Sequence, residues 1–243
     1  KNTRLEPSVV LVSIDTCRAD HLGCYGAAGN PTPCIDAVAQ RALVFTLALA
    51  PTPLTRPSHA TMFTGCNPYS HQVHGNGYAW LGEESVTLAE LLRARGYATA
   101  AFVSSFVLDK RFGLAQGFDL YDDDCGTGGA VDFYAERSAQ QTTDRALAWL
   151  ESNHHRPFFL FLHYYDPHFP YRPVEPFASR FPGDPYTGEI AYTDHQLGRV
   201  IRALQRLGLY DSILLIITGD HGESLGEHGE DTHGFFLYQA VLH

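Results

Sequence analysis

The fold of this chain is most constrained by an unbroken apolar run near its start, residues 8–15 (SVVLVSID). A strand that is apolar at successive positions is buried on both faces, which is typical of a parallel sheet covered by helices. Residues 157–163 (PFFLFLH) and 212–218 (SILLIIT) repeat this pattern, and residues 97–103 (YATAAFV) predict a further strand. The sequence therefore predicts a sheet with at least these buried strands.

Helical patterns separate the strands, over residues 58–63, 87–96, 136–153 and 189–207. Pro57 suits the first turn of one helix, and Gly65 and Gly96 suit the positions where helices end. Strands that alternate with helices predict an α/β fold, here a sandwich with a mostly parallel central sheet flanked by helices. We find no internal repeat and no linker, so we expect one domain over residues 1–243.

Three other segments carry weaker expectations. Residues 166–185 are rich in proline and aromatic residues and predict a loop that covers a site, and residues 125–129 (CGTGG) predict a mobile insertion. Residues 235–242 predict an apolar helix that stops abruptly at His243. We therefore expect the chain to be the N-terminal part of a longer protein.

Composition excludes several classes of function. The chain of 243 residues has a formal net charge of −10 and no run of basic residues, which argues against binding to a nucleic-acid backbone. The sequence contains no stretch of about 18 apolar residues, so it predicts no membrane span. The 5 cysteines are odd in number and form no CxxC pair, so they indicate neither a zinc-cysteine site nor a disulfide framework. The 13 histidines are spread along the chain and favour a transition-metal site.

Polar residues follow the predicted strands. Asp15 ends the first run, the pair Asp220-His221 follows the last, and His163 and His168 come after the strand that begins at residue 157. Ligands of open α/β sheets bind at the carboxyl ends of the strands, so these side chains are candidate metal ligands. Carboxylate with imidazole suits Zn, Mn or Fe better than Ca or Mg. A helix-capping role is the alternative for any single acid.

Thr55 is placed just before the predicted helix over residues 58–63. Backbone N–H groups at the start of a helix favour anions, and a hydroxyl there can attack a phosphoryl or sulfuryl centre if a metal lowers its pKa. Helix capping is the other interpretation of this residue, and spacing alone does not decide between them.

Four ordered motifs resemble those of the sulfatase family, within the alkaline phosphatase superfamily. They are residues 13–26 (SIDTCRADHLGCYG), 55–65 (TRPSHATMFTG), 163–171 (HYYDPHFPY) and 220–229 (DHGESLGEHG). The resemblance spans residues 8–242 and implies an alkaline-phosphatase-like sandwich that hydrolyses small anionic esters. Family members usually continue into a smaller C-terminal subdomain, which we do not expect within residues 1–243. An extracytoplasmic location is also favoured by the resemblance, whereas the oligomeric state stays open.

The resemblance assigns roles to individual residues. It implies that Asp15, Asp220 and His221 bind one metal ion, with the oxygen of Thr55 completing the shell. His168 and His233 become the expected contacts to the transferred group or the leaving oxygen, with a second metal ion as the alternative. His59 stands where the family has the arginine that steadies its aldehyde hydrate, and we include it among the catalytic candidates.

Departures from the family pattern shape the expected reaction. Thr55 carries a methyl group on Cβ and cannot become formylglycine. Thr16 replaces the usual second acid and His221 the usual asparagine, which removes oxygen ligands and favours Zn or Mn over Ca. The sulfate-binding Lys-Trp-His segment has no counterpart near residues 103–106.

A threonine nucleophile with an Asp-His metal pair resembles the sites of phosphodiesterases and phosphoethanolamine transferases of the superfamily. We therefore expect phosphoesters to be favoured over sulfate esters. Two alternatives stay open. One is a catalytically silent domain that binds an anionic glycan or partner, because decay of a site would remove the same residues. The other is a non-functional fragment of a working enzyme.

Overall fold

A five-stranded parallel sheet forms the centre of the computed structural model, which describes residues 6–126, 132 and 134–243. The strands lie in the order β3-β2-β4-β1-β5, and every pair is parallel. Their bounds are Val9–Ile14 (β1), Ala98–Phe102 (β2), Leu120–Asp122 (β3), Phe158–Tyr164 (β4) and Leu214–Gly219 (β5). The four predicted strands are confirmed as β1, β2, β4 and β5. Strand β3 was not predicted, because only three residues pair with β2 and none of them is fully buried.

The helices and their bounds are Pro33–Ala39 (α1), Thr55–Thr64 (α2), Pro68–His71 (α3), Leu88–Ala94 (α4), Ala139–Asn153 (α5), Phe177–Arg180 (α6), Pro185–Arg206 (α7) and Gln239–Leu242 (α8). Helix α5 begins three residues after the predicted start, because Ser138 caps it and exchanges hydrogen bonds with Gln141. Helix α7 begins four residues before the predicted start, because the Asp184 carboxylate accepts the N–H of Thr187.

Three expectations about segments need correction or completion. Residues 166–185 are mostly loop, as expected, but they include the single turn α6. Residues 235–242 are helical only over their last four residues, α8, since positions 235–238 are extended or bent. In the expected insertion at 125–129, Cys125 and Gly126 lie in a loop and residues 127–129 lie outside the described residues.

The core lies on both faces of the sheet. Val10 and Val12 of β1 point to one face, where they meet Leu150 of α5 and Leu197 of α7. Leu11 points to the other face, together with aromatic residues of β4 and apolar residues of α2 and α4, namely Phe159, Phe161, Ala60, Phe63 and Ala89. Helices on both faces of one sheet confirm the predicted α/β sandwich.

The edge strand β5 differs from the central strands. β1 and β4 are almost completely buried, whereas Leu214 and Ile216 of β5 keep 50% and 38% of their surface exposed. The five cysteines are all free in the structure. Within the described residues, no helix is long and apolar enough to cross a membrane.

Candidate active site

Parallel pairing brings two strand ends together. Ile14 of β1 lies opposite Gly219 of β5, so the residues that follow them, Asp15 and Asp220, leave the sheet side by side. One ligand atom from each of Asp15, Asp220 and His221 lies within 4.8 Å of the others, and all three residues are buried. The predicted metal ligands of the two strand ends thus form one cluster at the carboxyl edge of the sheet.

The ring of His221 is oriented as a metal ligand. Nδ1 lies 2.8 Å from the carbonyl oxygen of Gly222, which can only accept, so Nδ1 carries the proton. Nε2 therefore presents its lone pair, 3.5 Å from Asp220 Oδ2 and 3.8 Å from Asp15 Oδ1. Burial and the nearby His233 lower the pKa of His221 to about 3, so its ring is neutral at physiological pH.

Each carboxylate of the cluster has one oxygen in use and one without a partner. Asp220 Oδ1 accepts the N–H groups of Thr16 (3.1 Å) and His221 (2.8 Å), and Asp15 Oδ2 accepts from His163 Nε2 (3.1 Å). Asp15 Oδ1 and Asp220 Oδ2 are buried with no hydrogen-bond partner among the described residues. Burial and the charge of Asp220 raise the pKa of Asp15 well above its usual value. Two unpartnered oxygens beside an imidazole lone pair fit a divalent cation.

Thr55 faces this cluster. Its side chain is 1% exposed, and Oγ1 lies 3.4 Å from His221 Nε2. Because Nδ1 holds the ring proton of His221, the Thr55 hydroxyl is the donor in this contact. The interpretation of Thr55 as a helix cap is wrong, since Leu54 occupies the cap position and Thr55 is the first residue of α2. Helix α2 also starts three residues earlier than predicted.

Distant side chains hold the first turn of α2. Leu54 has no polar side chain to offer, and the N–H of Arg56 is accepted instead by Asn76 Oδ1 at 2.9 Å. The Arg56 guanidinium is fully buried over the ring of Phe112 and donates to the backbone carbonyls of Val107 and Ala79. These contacts fix the backbone that carries Thr55.

His59 lies behind the cluster, one helical turn after Thr55. Nδ1 donates to the Thr55 carbonyl oxygen at 2.7 Å, and Nε2 accepts from Ser13 Oγ at 3.0 Å. Burial lowers the pKa of His59 to about 4, so the ring is neutral. Both nitrogens contact the protein itself, which supports a role in placing Thr55, and the catalytic assignment of His59 stays a prediction.

His163, on β4, supports Asp15. Its Nδ1 accepts the N–H of Ser104 at 3.3 Å, which leaves the proton on Nε2 for the bond to Asp15. Burial lowers the pKa of this ring to about 4, so it acts as a neutral donor. A donor of this kind orients one oxygen of a metal-ligating carboxylate and leaves the other free.

His168 and His233 lie beside the cluster on loops. The ring of His233 is 4.5 Å from that of His221 and 5.1 Å from that of His168, between centroids. His168 stacks on Tyr165, and its Nδ1 donates to the carbonyl oxygen of Phe169. Burial and the charge of His233 lower the pKa of His168 to about 3.

His233 is hydrogen-bonded to Glu223, a residue that was not among the candidates predicted from the sequence. Glu223 Oε1 accepts from His233 Nδ1 at 2.8 Å, and Oε2 accepts from the Tyr171 hydroxyl at 2.9 Å. Burial lowers the pKa of His233, but the hydrogen bond and charge of Glu223 outweigh it and the net pKa is raised. The position of Glu223, two residues after His221 in the last motif, was the one available signal.

The two loop histidines are more exposed than the cluster beside them. Asp15, Thr55, Asp220 and His221 are each at most 3% exposed, whereas His168 and His233 are partly exposed.

A buried metal-capable cluster at the carboxyl edge of a parallel sheet, with a hydroxyl facing it, is the arrangement of the class that the four motifs resemble. The sequence model of the sulfatase family matches residues 7–240. The chain belongs to the sulfatase family.

Curated relatives and solved structures agree with this membership. The chain is 27% identical to an ulvan-active sulfatase of Formosa agariphila, over 91% of this chain and 51% of that protein. It is 27% identical to human arylsulfatase A, over 89% of this chain and 52% of that protein. The chain thus spans about half the length of these curated relatives. The fold is similar to that of the phosphonate monoester hydrolase of Agrobacterium radiobacter, with a TM-score of 0.82 and 22% identity over 98% of this chain and 67% of that one.

Proposed function

We propose that residues 1–243 form a single catalytic domain of a metal-dependent hydrolase of phosphate or sulfate esters, with Thr55 as the nucleophile and phosphoesters favoured. The observation that carries the proposal is the contact of the Thr55 hydroxyl with His221 Nε2, beside two buried carboxylate oxygens that have no partner. A threonine that caps a helix turns its hydroxyl toward the backbone N–H groups of that helix. The hydroxyl of Thr55 instead contacts His221.

Asp15, Asp220 and His221 are the residues that would hold a divalent cation, with Thr55 Oγ1 next to them. Such a cation, when bound, would lower the pKa of the adjacent hydroxyl and neutralise charge on an ester oxygen. Zn or Mn fits this donor set better than Ca, because one donor is an imidazole nitrogen and only two are carboxylates.

The chain's own residues supply the rest of the reaction. The start of α2 fixes the Thr55 oxygen for attack on the phosphorus or sulfur atom. The new Thr55 O–P or O–S bond would form as the bond to the leaving alcohol oxygen breaks, the Thr55 hydroxyl proton would pass to that oxygen through the site histidines or water, and a water molecule would then hydrolyse the threonine ester to release phosphate or sulfate and restore Thr55. The ring of His233 is placed to donate a hydrogen bond to the transferred group or the leaving oxygen, and its raised pKa favours the protonated form that such a donor needs. The neutral ring of His168 has its proton on Nδ1, so Nε2 is free to accept a hydrogen bond from a bound group.

Two features support a preference for phosphoesters. The branched Cβ of Thr55 excludes the aldehyde that sulfatases use, so the hydroxyl itself must react. In the segment where a sulfate-binding Lys-Trp-His would be expected, Ser104 is fully buried and its hydroxyl bonds to Thr142 and to the His163 carbonyl. This segment offers no cationic side chain to a sulfate group.

A panel of matched aryl esters tests the proposal. Aryl sulfate, phosphate monoester, phosphate diester and phosphonate monoester are compared with Zn or Mn added. The expected result is a rate on at least one phosphoester or phosphonate that exceeds the sulfate rate. A sulfate rate above all the others would overturn the preference. No turnover together with no retained metal would favour the domain that only binds an anionic glycan or partner.

A further inference from the structure

Glu223 is a buried carboxylate whose two oxygens both have partners, and neither partner belongs to the candidate metal site. The side chain is 0% exposed, with Oε1 on His233 and Oε2 on Tyr171. The acid is only two residues from His221, yet it does not belong to the metal-capable cluster. Its side chain must therefore serve some purpose other than binding the metal ion.

His233 needs help to present a defined face to a substrate. It lies in an irregular segment between β5 and α8, where no helix or strand fixes the side chain. An imidazole has two distinct nitrogens, and the partner of one decides which way the other points. Since Nδ1 bonds to Glu223, Nε2 is the nitrogen left for a substrate, and it makes no hydrogen bond to the described residues.

Tyr171 links Glu223 to the loop that carries His168. Its hydroxyl fixes the second oxygen of Glu223, so one carboxylate joins the segment after β4 to the segment after β5. The rings of His168 and His233 are 5.1 Å apart where these segments meet. Glu223 thus holds the ring of His233 and ties it, through Tyr171, to the segment that carries His168.

We propose that Glu223 is a positioning residue that fixes the ring of His233 with Nε2 toward an ester held at Thr55. This inference rests on the function proposed above and adds a residue to it. Histidine at this place needs its ring held, and the buried carboxylate does so.

The local backbone has its own anchors, so substitution of the side chain tests orientation and not folding. Arg18 donates to the backbone carbonyl of Glu223 at 3.1 Å. The N–H of Gly222 bonds to the Val241 carbonyl and that of Ser224 to the Thr232 carbonyl. None of these contacts uses the carboxylate.

The test compares Glu223→Ala with Glu223→Gln. Glutamine keeps a side-chain oxygen that accepts from His233 Nδ1–H and turns its NH2 group toward the Tyr171 hydroxyl. Alanine removes both contacts. Expected is a fall in kcat on the order of 10–100-fold for alanine, the usual effect of losing the partner of a functional imidazole. KM and metal content should change little, and glutamine should restore most of the loss.

A second measurement does not depend on turnover. The His233 Nδ1–H proton, bonded to a buried carboxylate, should give a downfield NMR signal that exchanges slowly with water. It is assigned by its absence in His233→Gln. We expect the signal in the wild type and in Glu223→Gln and not in Glu223→Ala.

The outcomes separate this inference from the proposed function. Equal losses of kcat in both variants, or wild-type kcat in Glu223→Ala, would overturn the positioning role. A signal that persists in Glu223→Ala would overturn it as well. If the wild type hydrolyses no ester but the signal follows the expected pattern, the proposed function fails while the orientation of His233 by Glu223 stands.

Discussion

The two halves of the candidate site are held by different means. Asp15, Asp220 and His221 follow paired strands, so the register of β1 with β5 fixes where they lie. His168 and His233 lie on irregular segments and are placed by contacts of their rings: His233 bonds to Glu223, and His168 stacks on Tyr165 and bonds to the Phe169 carbonyl oxygen. Backbone pairing tolerates changes of side chain, whereas a side-chain hydrogen bond is lost with a single substitution. We infer that most single substitutions leave the strand-end residues in place, whereas a single substitution can change the position of the loop histidines.

The halves also differ in charge. The strand-end half brings two buried carboxylates together, and each has an oxygen without a partner. The loop half brings two imidazoles, His168 with a lowered pKa and His233 with a raised one. A divalent cation suits the first half and a hydrogen-bonded ester suits the second, so the difference predicts how variants of each half should behave.

The largest effect is expected in the strand-end half. Asp15→Asn or Asp220→Asn should abolish metal binding and hydrolysis. The melting temperature of the metal-free protein should not fall, because either change removes repulsion between buried carboxylates. Metal analysis, turnover and calorimetry on the same sample check this.

Added metal provides the matching control. In the wild type, Zn or Mn at a concentration 100 times Kd should stabilise the fold by about 2.7 kcal/mol. For a domain of this size that is roughly 5–10 °C in Tm. Neither aspartate variant should show the shift, and a variant that kept full metal content and rate would contradict the site.

Thr55→Ala should lower turnover by several orders of magnitude, because it removes the nucleophile. Metal affinity should fall modestly, since Asp15, Asp220 and His221 remain. Thr55→Ser keeps the hydroxyl and should retain much of the activity. Turnover and Tm are measured on one sample of each variant. An unchanged rate per folded molecule in Thr55→Ala would rule out the nucleophile.

Variants of the loop half should separate turnover from metal binding. His233→Gln and His168→Gln should each lower kcat on the order of 100- to 10,000-fold, the range for groups that stabilise or protonate a leaving oxygen. Metal content should stay at the wild-type level, unlike in the aspartate variants. Loss of metal from either histidine variant would show that the two halves share a second metal ion. The division into a half that binds metal and a half that does not would then be wrong.

The smallest effect is expected for Glu189, which joins the loop after β4 to helix α7 and affects the pH dependence of stability. Glu189 of α7 is buried and accepts the N–H of Arg172 from the loop. Burial, together with the charges of Asp166 and Glu136, raises the pKa of Glu189 to about 8. The folded state thus holds a proton that the unfolded state releases near pH 4.5.

The consequence is a pH-dependent stability. The contribution of Glu189 is fully present below about pH 4.5 and is lost as the pH rises toward 8. Glu189→Gln should flatten this part of the curve of unfolding free energy against pH, as followed by urea titrations. The matched variant Glu151→Gln, at an exposed acid of α5, should leave that part of the curve unchanged. A slope that is the same in all three proteins would assign the pH dependence to other groups.

The strand-end half could be predicted from the sequence, because its determinants are local. The unbroken apolar runs identify the strands, and parallel strands place the residues that follow them at one edge. Asp15, Asp220 and His221 were found in this way, and the structure brings them together.

Other features depend on contacts between residues far apart in the chain, and they were missed. Strand β3 exists only through its pairing with β2. The partners of Glu223 are 10 and 52 positions away in the sequence. No local signal indicates that an acid after a metal ligand should bind a histidine and a tyrosine.

The start of helix α2 has a consequence for folding kinetics. Leu54 has no side chain that can cap the helix; Asn76 accepts one N–H of the first turn, and the Arg56 side chain anchors that turn to the loop carbonyl of Val107. These partners are 20 and 51 positions away in the sequence, so we expect the first turn of α2 to be disordered in the folding transition state, with φ-values near zero at Arg56 and Asn76. Mutations there should speed unfolding and leave the folding rate almost unchanged. We expect Thr55 to reach its reactive position late in folding.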